Sequence, residues 1–491
     1  MRRLPAALRS VPLWVAGATF GSMLALLVVT EPWLLRHQYA AMATLGSLGS
    51  WPALVALSVL LAVIGAIWSF RRLEHMPAGC WLLGMLIIAF QLMNLRAGPL
   101  NLLNVGIVGL TLWWLIDFTL RPDVPRETPL MAHLLILLGV LAIVSVIGNE
   151  DAGQSLRALM MLLPKLAMAW VLLHILHRPQ DLRFAVKVLV VTSLAAALLG
   201  IAQSTMFVLY SVELHVMEEL APRYIVVFGW PLLRASGMMP NPQAYVYPLM
   251  VSVLLLTYRF AVDGGGRSRW HPSAWAGIVV LLTAIGLSFA RGAWMSVLAV
   301  ALVIPAVAWP RQALPWFGTL LAVAFVGLWS GAVTSLTSAF GQFTSSSADV
   351  RLELLAAGVE VLADHPWRGV GLAHFESYSP TFERYPVHSS ILQLGTELGV
   401  PGLLVFVAIL LLPALRALMA LRTAVGEAAQ LLKGLLLGYF AFLVSIQGDP
   451  MAYNEFLFFL VVLVDAAGRI LGAQVAPSET SSSHPLLRVS S

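Results

Sequence analysis

The stretch GLLVFVAILLLPALRALMAL at residues 402–421 carries one charged side chain, Arg416. An apolar run of about 20 residues is long enough to cross the hydrocarbon core of a bilayer as a helix, and about fourteen such runs recur along the chain. Of the 491 residues, 59% are apolar and only 11% are charged, a balance that a soluble domain of this size could not keep in solution. The sequence therefore predicts an all-α, polytopic membrane helix bundle of about 12–14 transmembrane helices.

The basic residues predict how the bundle is oriented. If the N-terminus is cytoplasmic, most of the 29 Lys and Arg residues fall in the cytoplasmic gaps between spans, among them Arg71, Arg72, Arg178 and Arg183. This is the positive-inside bias, and it predicts an even number of helices with both termini in the cytoplasm. The basic residues form no continuous stripe, which argues against a nucleic-acid partner.

The chain divides into three parts on this pattern. We expect N-terminal transmembrane helices at residues 1–210, a middle part at residues 211–471 that contains the long outer segments, and a cytoplasmic tail at residues 472–491. The second part includes a long outer loop at residues 333–400. The sequence of this loop is patterned, so we expect a small helical cap facing away from the cytoplasm.

Two short helices are predicted within the cap. The first begins near Ser346 and stops at His365-Pro366, with one apolar face formed by Leu354, Leu355, Val359 and Leu362. The second runs from about His388 to Leu398 and ends at Gly399, because glycine commonly terminates helices. A further outer turn is flanked by Asp449 and Glu455, which we expect to be solvated.

Three outer segments carry an unusual density of Arg, His and Gly. The first is RASGMMPNPQA at residues 234–244, immediately before a span. The second is LSFARGAW at residues 287–294, where a span ends. The third combines DHPWRGVGLAHF at residues 364–375 with VHSSILQLGTELGVPG at residues 387–402.

Together these segments resemble the O-antigen ligase and polymerase superfamily of bacterial envelope glycosyltransferases. The resemblance covers roughly residues 211–471 and implies a fold similar to the membrane-embedded GT-C glycosyltransferases. Ser389 stands where Asn is common in the family. The residues that carry the resemblance are Arg234, Gly237, Asn241, Pro242, Ser288, Ala290, Arg291, Gly292, Gly369, Gly371, His388 and Glu397.

The resemblance implies that a glycan is transferred from polyprenyl diphosphate to an acceptor hydroxyl. Such a site needs fixed positive charge for the diphosphate, which arginine supplies with a planar fork of donors. It also needs a proton acceptor, a role that histidine fills at neutral pH. We therefore assign His388 as the catalytic base; Arg234, Arg291 and Arg351 as diphosphate-binding residues; and Ser288, Gly292, Asn241 and Glu397 as supporting residues.

The resemblance also implies an inverting enzyme of the bacterial inner membrane with its active site in the periplasm. The ligase type uses a lipid A core acceptor. A repeat-unit polymerase and a protein O-oligosaccharyltransferase remain alternatives. We expect no cofactor and metal independence, since the outer segment at residues 31–50 has one carboxylate and no paired acidic motif. The rival from another class is a transporter or flippase for an anionic lipid-linked solute, but the chain lacks the internal repeats typical of transporters.

Several assigned residues also have a structural explanation. Arg234 and Arg291 could anchor helix ends at the lipid headgroups, and Arg351 could pair with Glu353. Glu397 could orient part of the cap instead of transferring protons. Gly369 and Gly371 fit turn positions, while His365 and His374 compete with His388 for the role of the base.

Overall fold

A computed structural model of the 491-residue chain gives the fold. It describes residues 83–88, 96–97, 100–120, 129–147, 152–210, 224–227, 230–239, 241–258, 272–290, 292–297, 299–300, 345–379 and 386–473. Residues 1–82, 301–344 and 474–491, which include several of the predicted spans and most of the predicted tail, lie outside the described residues.

The described part is mainly helical. Two antiparallel hairpins, each of two short strands, interrupt the helices. The elements in chain order are β1 (Arg96–Ala97), β2 (Leu100–Asn101), α1 (Leu102–Leu120), α2 (Leu130–Val146), α3 (Ala152–Ile175), α4 (Pro179–Tyr210), β3 (Tyr224–Val227), β4 (Trp230–Leu233), α5 (Pro242–Leu256), α6 (Pro272–Ser288), α7 (Ser345–Asp364), a 3-10 turn (His374–Ser377), α8 (Ser390–Leu421), α9 (Gly426–Ser445) and α10 (Glu455–Ala473).

The helices have the length and composition of membrane spans. Five of those described, α3, α4, α8, α9 and α10, are long and apolar enough to cross a bilayer. In α2, Leu135 and Leu138 are buried, yet Ile136 and Val140 on the outer side are about half exposed. A helix that is apolar all round is stable when lipid covers its outer surface. The chain is therefore a multi-pass membrane protein with an all-α bundle, as the sequence predicts.

Helix α10 lies at the centre of the bundle. Nearly every side chain from Phe456 to Ala467 is buried, and the helix packs against α3, α8 and α9. Gly468 allows a close approach to α8, since a Cβ there would lie 2.9 Å from the backbone nitrogen of Ala417. This deeply buried helix thus joins the regions before and after the cap.

The first cap helix is confirmed, but its buried face differs from the prediction. Helix α7 ends at Asp364, just before His365-Pro366. Leu354, Gly358 and Val361 are buried, whereas Val359 is 60% exposed. The prediction for Val359 was wrong because the helix packs on a narrow strip, where Gly358 lies against Leu392 and Val387.

The second cap helix merges with a membrane span. Helix α8 begins at Ser390, and its regular conformation breaks at Gly399, where φ is 72° and ψ is −173°. This is the glycine at which the sequence predicts an end. The chain then resumes as a helix to Leu421, so one element joins the cap to the membrane.

The bundle has two chemically different ends. At one end of the bundle, hydrogen bonds connect α3, the start of α8, the end of α9 and the residues just before α10. A hydrogen bond also connects the residues before α5 to the end of α6. We call this the site end. The opposite end carries basic residues that the sequence assigns to the cytoplasm, among them Arg178, Arg183, Lys187, Arg422 and Lys433.

Candidate active site

His388 is fixed at the site end by the two serines that follow it. The Ser389 hydroxyl caps α8 by accepting from the backbone N–H of Leu392 at 3.4 Å. The Ser390 hydroxyl lies 2.8 Å from the carbonyl oxygen of Asp449 and accepts from the backbone N–H of Met451. His388 is therefore held beside the turn at residues 446–454, which we call the α9–α10 turn.

The surroundings of His388 favour a neutral imidazole. Its Nδ1 lies 3.1 Å from the carbonyl oxygen of Pro386, so Nδ1 is the donor and Nε2 carries the lone pair of the neutral ring. Burial and the nearby positive charge of Arg351 lower the pKa of His388. A neutral ring with a defined acceptor nitrogen is the form that a general base requires.

Asp449 lies in the α9–α10 turn and is buried, with 8% of its surface exposed. It accepts a 2.7 Å hydrogen bond from the hydroxyl of Tyr247 in α5. Burial raises the pKa of Asp449 to about 6, while the hydrogen bond from Tyr247 and the charge of Arg351 act in the opposite direction. The expectation that Asp449 is solvated was wrong, because the turn folds back against α5 and the start of α8.

Arg351 links these groups. It lies in the first turns of α7, and its charge acts on both His388 and Asp449. We call Arg351, Tyr247, His388 and Asp449 the polar cluster. In this cluster, Arg351 comes from the cap helix α7 and His388 from the segment just before α8. Asp449 comes from the α9–α10 turn, and Tyr247 comes from α5 within the bundle.

Arg234 lies at the end of α6. Its Nε donates to the carbonyl oxygen of Ser288 at 3.1 Å, and one of its terminal nitrogens lies 3.4 Å from the carbonyl oxygen of Phe289. The backbone N–H of Ala235 donates to the carbonyl oxygen of Leu287. A cation at a helix C-terminus is favourable, since carbonyls there lack partners within the helix. The first outer segment, residues 234–244, is thus adjacent in space to the second, residues 287–294.

Ser288 serves the same helix end. It is buried, and its hydroxyl lies 2.6 Å from the carbonyl oxygen of Ile285 and accepts from the backbone N–H of Ala290. Its side chain therefore shapes the chain where α6 stops.

Gly292 brings the second motif to the polar cluster. A Cβ built at Gly292 would lie 3.3 Å from the hydroxyl of Ser445 and 3.8 Å from Oδ2 of Asp449. The four peptide steps from Ser288 to Gly292 span at most about 14 Å, which bounds the distance between Gly292 and the helix end that Arg234 binds. Arg291 itself lies outside the described residues.

Glu397 holds the cap together. Its carboxylate accepts from the Nε2 of Gln393 at 3.3 Å, from the hydroxyl of Tyr453 and from the backbone N–H of Ala373. With these donors it orients the segment at residues 369–373, which we call the clamped segment. The geometry favours the structural explanation for Glu397.

The clamped segment requires its glycines. Gly369 has φ of 63° and Gly371 has φ of 95°, values that favour glycine. A Cβ at Gly369 would lie 2.4 Å from the backbone carbon of Glu397. From the opposite side, Gln154 of α3 donates to the carbonyl oxygen of Ala373 at 2.8 Å.

The remaining candidates have separate positions. Asn241 caps α5, and its side chain accepts from the backbone N–H of Ala244 at 2.7 Å; it therefore positions the helix that carries Tyr247. His365 is exposed just after α7, and His374 is partly buried in the 3-10 turn. The rings of both histidines lie about 6 Å from the ring of Tyr378. Among the described residues, no group of three His, Cys, Asp or Glu could hold a metal ion.

A buried ion pair supports the α9–α10 turn. Lys165 of α3 lies 3.0 Å from the carboxylate of Glu455, with side-chain exposures of 8% and 11%. Lys165 also donates to the carbonyl oxygen of Tyr453. The expectation that Glu455 is solvated was therefore wrong, because α3 supplies it with a charge partner.

Sequence reasoning missed Tyr247 and underestimated Asp449. Tyr247 stands five residues after Pro242, within an apolar span. A tyrosine so close to the Asn-Pro motif was the available signal. Nothing in the local pattern around Asp449 shows that a helix from 200 residues earlier covers it.

Fold and site together define a multi-pass membrane protein with a helical cap over a charged cluster at one end of its bundle. Residues 276–407 match the family model described as O-antigen ligase. The match spans α6, the cap and the start of α8, and it confirms the resemblance to the O-antigen ligase and polymerase superfamily. That family is glycosyltransferase-like, so the match supports an activity of the ligase or polymerase type in general. No curated protein matches the chain.

Proposed function

We propose that this protein is a membrane glycosyltransferase that moves an oligosaccharide or polysaccharide from polyprenyl diphosphate to an acceptor hydroxyl. The observation that carries the proposal is that Ser390 holds the His388 segment against the turn that contains buried Asp449, where the charge of Arg351 acts on both His388 and Asp449. These residues come from distant parts of the chain and combine a fixed cation with a neutral imidazole. A cation can stabilise the leaving diphosphate, and a neutral imidazole can accept the proton of the attacking hydroxyl.

His388 acts as the general base. Its Nε2 takes the proton from the acceptor hydroxyl as the acceptor oxygen bonds to the anomeric carbon. The bond from that carbon to the diphosphate oxygen breaks, and the lipid diphosphate leaves with the electron pair. Displacement in one step inverts the anomeric configuration. A positioned general base typically contributes about 10²–10⁴-fold to the rate.

Arginines stabilise the diphosphate. The charge of Arg351 acts on the base His388, while Arg234 is held at the end of α6 by the carbonyl oxygen of Ser288. Arg291 belongs to the same site in this proposal, supported by the position of its neighbour Gly292 against Asp449. A guanidinium stays charged at all relevant pH values and binds phosphate oxygens in pairs. The arginines supply the positive charge, so the reaction needs no metal cofactor.

Asp449 positions Arg351. Its negative charge attracts the guanidinium, and Tyr247 holds the carboxylate in place through a 2.7 Å hydrogen bond. Asn241 affects the site indirectly, because it caps the helix that carries Tyr247. Gly292 allows the second outer segment to lie close to Asp449. Ser288 shapes the end of α6, and Glu397 orients the clamped segment.

The site end faces the periplasm in this proposal, and the protein resides in the bacterial inner membrane with both termini in the cytoplasm. Support comes from the basic residues at the opposite end of the described bundle, since short cytoplasmic loops are enriched in Lys and Arg. The acceptor is lipid A core, as in O-antigen ligases. A polymerase would use a second carrier-linked glycan, and a protein O-oligosaccharyltransferase would use a protein hydroxyl.

A transfer assay tests the activity and separates these acceptors. Purified protein in lipid vesicles is incubated with a polyprenyl-diphosphate glycan, either with lipid A core or without an added acceptor. We expect glycan on lipid A core together with released lipid diphosphate. Chain growth without added acceptor would identify a polymerase instead. Movement of intact donor across the vesicle membrane without cleavage of the sugar–phosphate bond would contradict the proposal and favour a flippase.

A further inference from the structure

Helix α7 presents two apolar faces. One is buried and contains Leu354 and Val361. The other is exposed, with Leu352 and Val359 at 65% and 60% exposure, and includes the exposed Ala356 and Ala363. Positions 352, 356, 359 and 363 follow the spacing that places side chains on one side of a helix. A helix that only covers the bundle needs one apolar face.

The acidic residues of α7 form a third face. Glu353, Glu360 and Asp364 are exposed and share a second helical spacing, rotated by roughly 100° from the exposed apolar face. Apolar and charged side chains are therefore separated on the outer surface of the cap helix. Such separation is typical of helices that lie in the interface between lipid and water.

The exposed apolar face continues onto the outer surface of the membrane bundle. At the edge of that face, Leu362 of α7 and Leu403 of α8 each lie within 3.5 Å of the position that a Cβ on Gly395 would take. The next residue of α8, Leu404, is 62% exposed, and Leu411 further along is 50% exposed. These leucines lie on a membrane-spanning helix, so the apolar surface of the cap joins the lipid-facing surface of the bundle.

A second copy of the chain is a poor fit for this face. The apolar face of α7 is about 16 Å long and 10 Å wide, so its footprint is about 160 Å². A stable protein interface buries about 800 Å² on each partner. Trp367 is 77% exposed immediately beyond α7, and tryptophan is enriched where proteins meet the lipid headgroups.

We propose that α7 is an interfacial helix, whose face formed by Leu352, Ala356, Val359 and Ala363 rests on the outer boundary of the bilayer at the site end. The acidic face then points to water. Arg351 immediately precedes Leu352 in the helix, so this docking places its guanidinium at the level of the lipid headgroups. The proposal concerns the position of the cap, and it stands independently of the reaction.

Site-specific fluorescence tests the docking without measuring activity. The single cysteine, Cys80, is replaced by serine, and Leu352→Cys, Val359→Cys or Glu360→Cys is labelled with an environment-sensitive fluorophore. Each protein is reconstituted in phosphatidylcholine vesicles. One sample contains lipids with a shallow spin label as quencher, and the other contains iodide on both sides of the membrane. Glu360 is the matched control, because it is next to Val359 but lies on the acidic face.

We expect the fluorophores at positions 352 and 359 to be quenched several-fold more by the spin-labelled lipid than the fluorophore at position 360. Iodide should show the reverse order. Equal quenching by iodide at all three positions would overturn the proposal. Protection of positions 352 and 359 from both quenchers would also overturn it, because protein would then cover the face.

Discussion

The hydroxyl of Tyr247 donates a 2.7 Å hydrogen bond to the carboxylate of Asp449, a residue 202 positions later in the chain. The bond joins α5 to the α9–α10 turn and fixes a buried negative charge beside Arg351. Neither residue alone indicates a site in the sequence. Their contact places α5 and the α9–α10 turn together at the polar cluster.

Removal of the Tyr247 hydroxyl should change the pH dependence of turnover. The hydrogen bond lowers the pKa of Asp449, which burial raises to about 6, so Tyr247→Phe should raise this pKa further. Because the ionised carboxylate positions Arg351, activity in the variant should fall at a higher pH on acidification. The measurement is the acid limb of the kcat/KM profile for glycan transfer.

Tyr245→Phe is the control for that experiment. The Tyr245 hydroxyl donates to the carbonyl oxygen of Ala196 in α4 at 3.2 Å and not to Asp449. Its acid limb should match the wild type. An unchanged acid limb in Tyr247→Phe would contradict the role given to Asp449.

Alanine at Gly369 should destabilise the cap. The left-handed conformation costs a residue with a Cβ about 1–2 kcal/mol, and this Cβ would also meet the backbone of Glu397 at 2.4 Å. Gly426→Ala is a matched control, since Gly426 has φ of 59° but nothing within 4 Å of its Cβ position. Thermal unfolding in detergent should show a larger decrease in midpoint for Gly369→Ala. Equal decreases would mean that the clamped segment tolerates displacement.

Loss of the charge on Lys165 should strongly destabilise the fold. Lys165→Met leaves Glu455 buried without its ion partner, and breaking a buried pair in this way costs about 3–5 kcal/mol. The exposed pair between Arg183 and Glu427, with side chains 53% and 42% exposed, provides the comparison. Arg183→Met should cost at most about 1 kcal/mol.

Denaturant unfolding of both variants measures this difference. The double variant Lys165→Met/Glu455→Gln should recover part of the lost stability, because no unpaired charge remains buried. A Lys165→Met protein as stable as Arg183→Met would show that the pair at the α9–α10 turn contributes little.

The sequence predicts the class of fold, and the structure places two of the assigned residues, Arg351 and His388, in the polar cluster. Apolar runs identify the membrane bundle, and Gly399 marks the break in α8 because its role is local. Val359 is exposed because the four apolar residues predicted to share one face of α7 divide between two faces. Spacing alone does not show which face the bundle covers. The burial of Asp449 and Glu455 depends on Tyr247 and Lys165, partners more than 200 residues away. Such pairings arise from tertiary packing and leave no local pattern.

The most direct test of the central claim compares His388→Gln with wild-type protein in the glycan transfer assay. Because His388 is the proposed proton acceptor, turnover of the variant should fall by about 10²–10⁴-fold. Binding of the polyprenyl-diphosphate donor should be largely retained, since the arginines bind the diphosphate. His365→Gln, an exposed histidine of the cap, should keep wild-type turnover. A His388→Gln protein that transfers glycan at the wild-type rate would contradict the account.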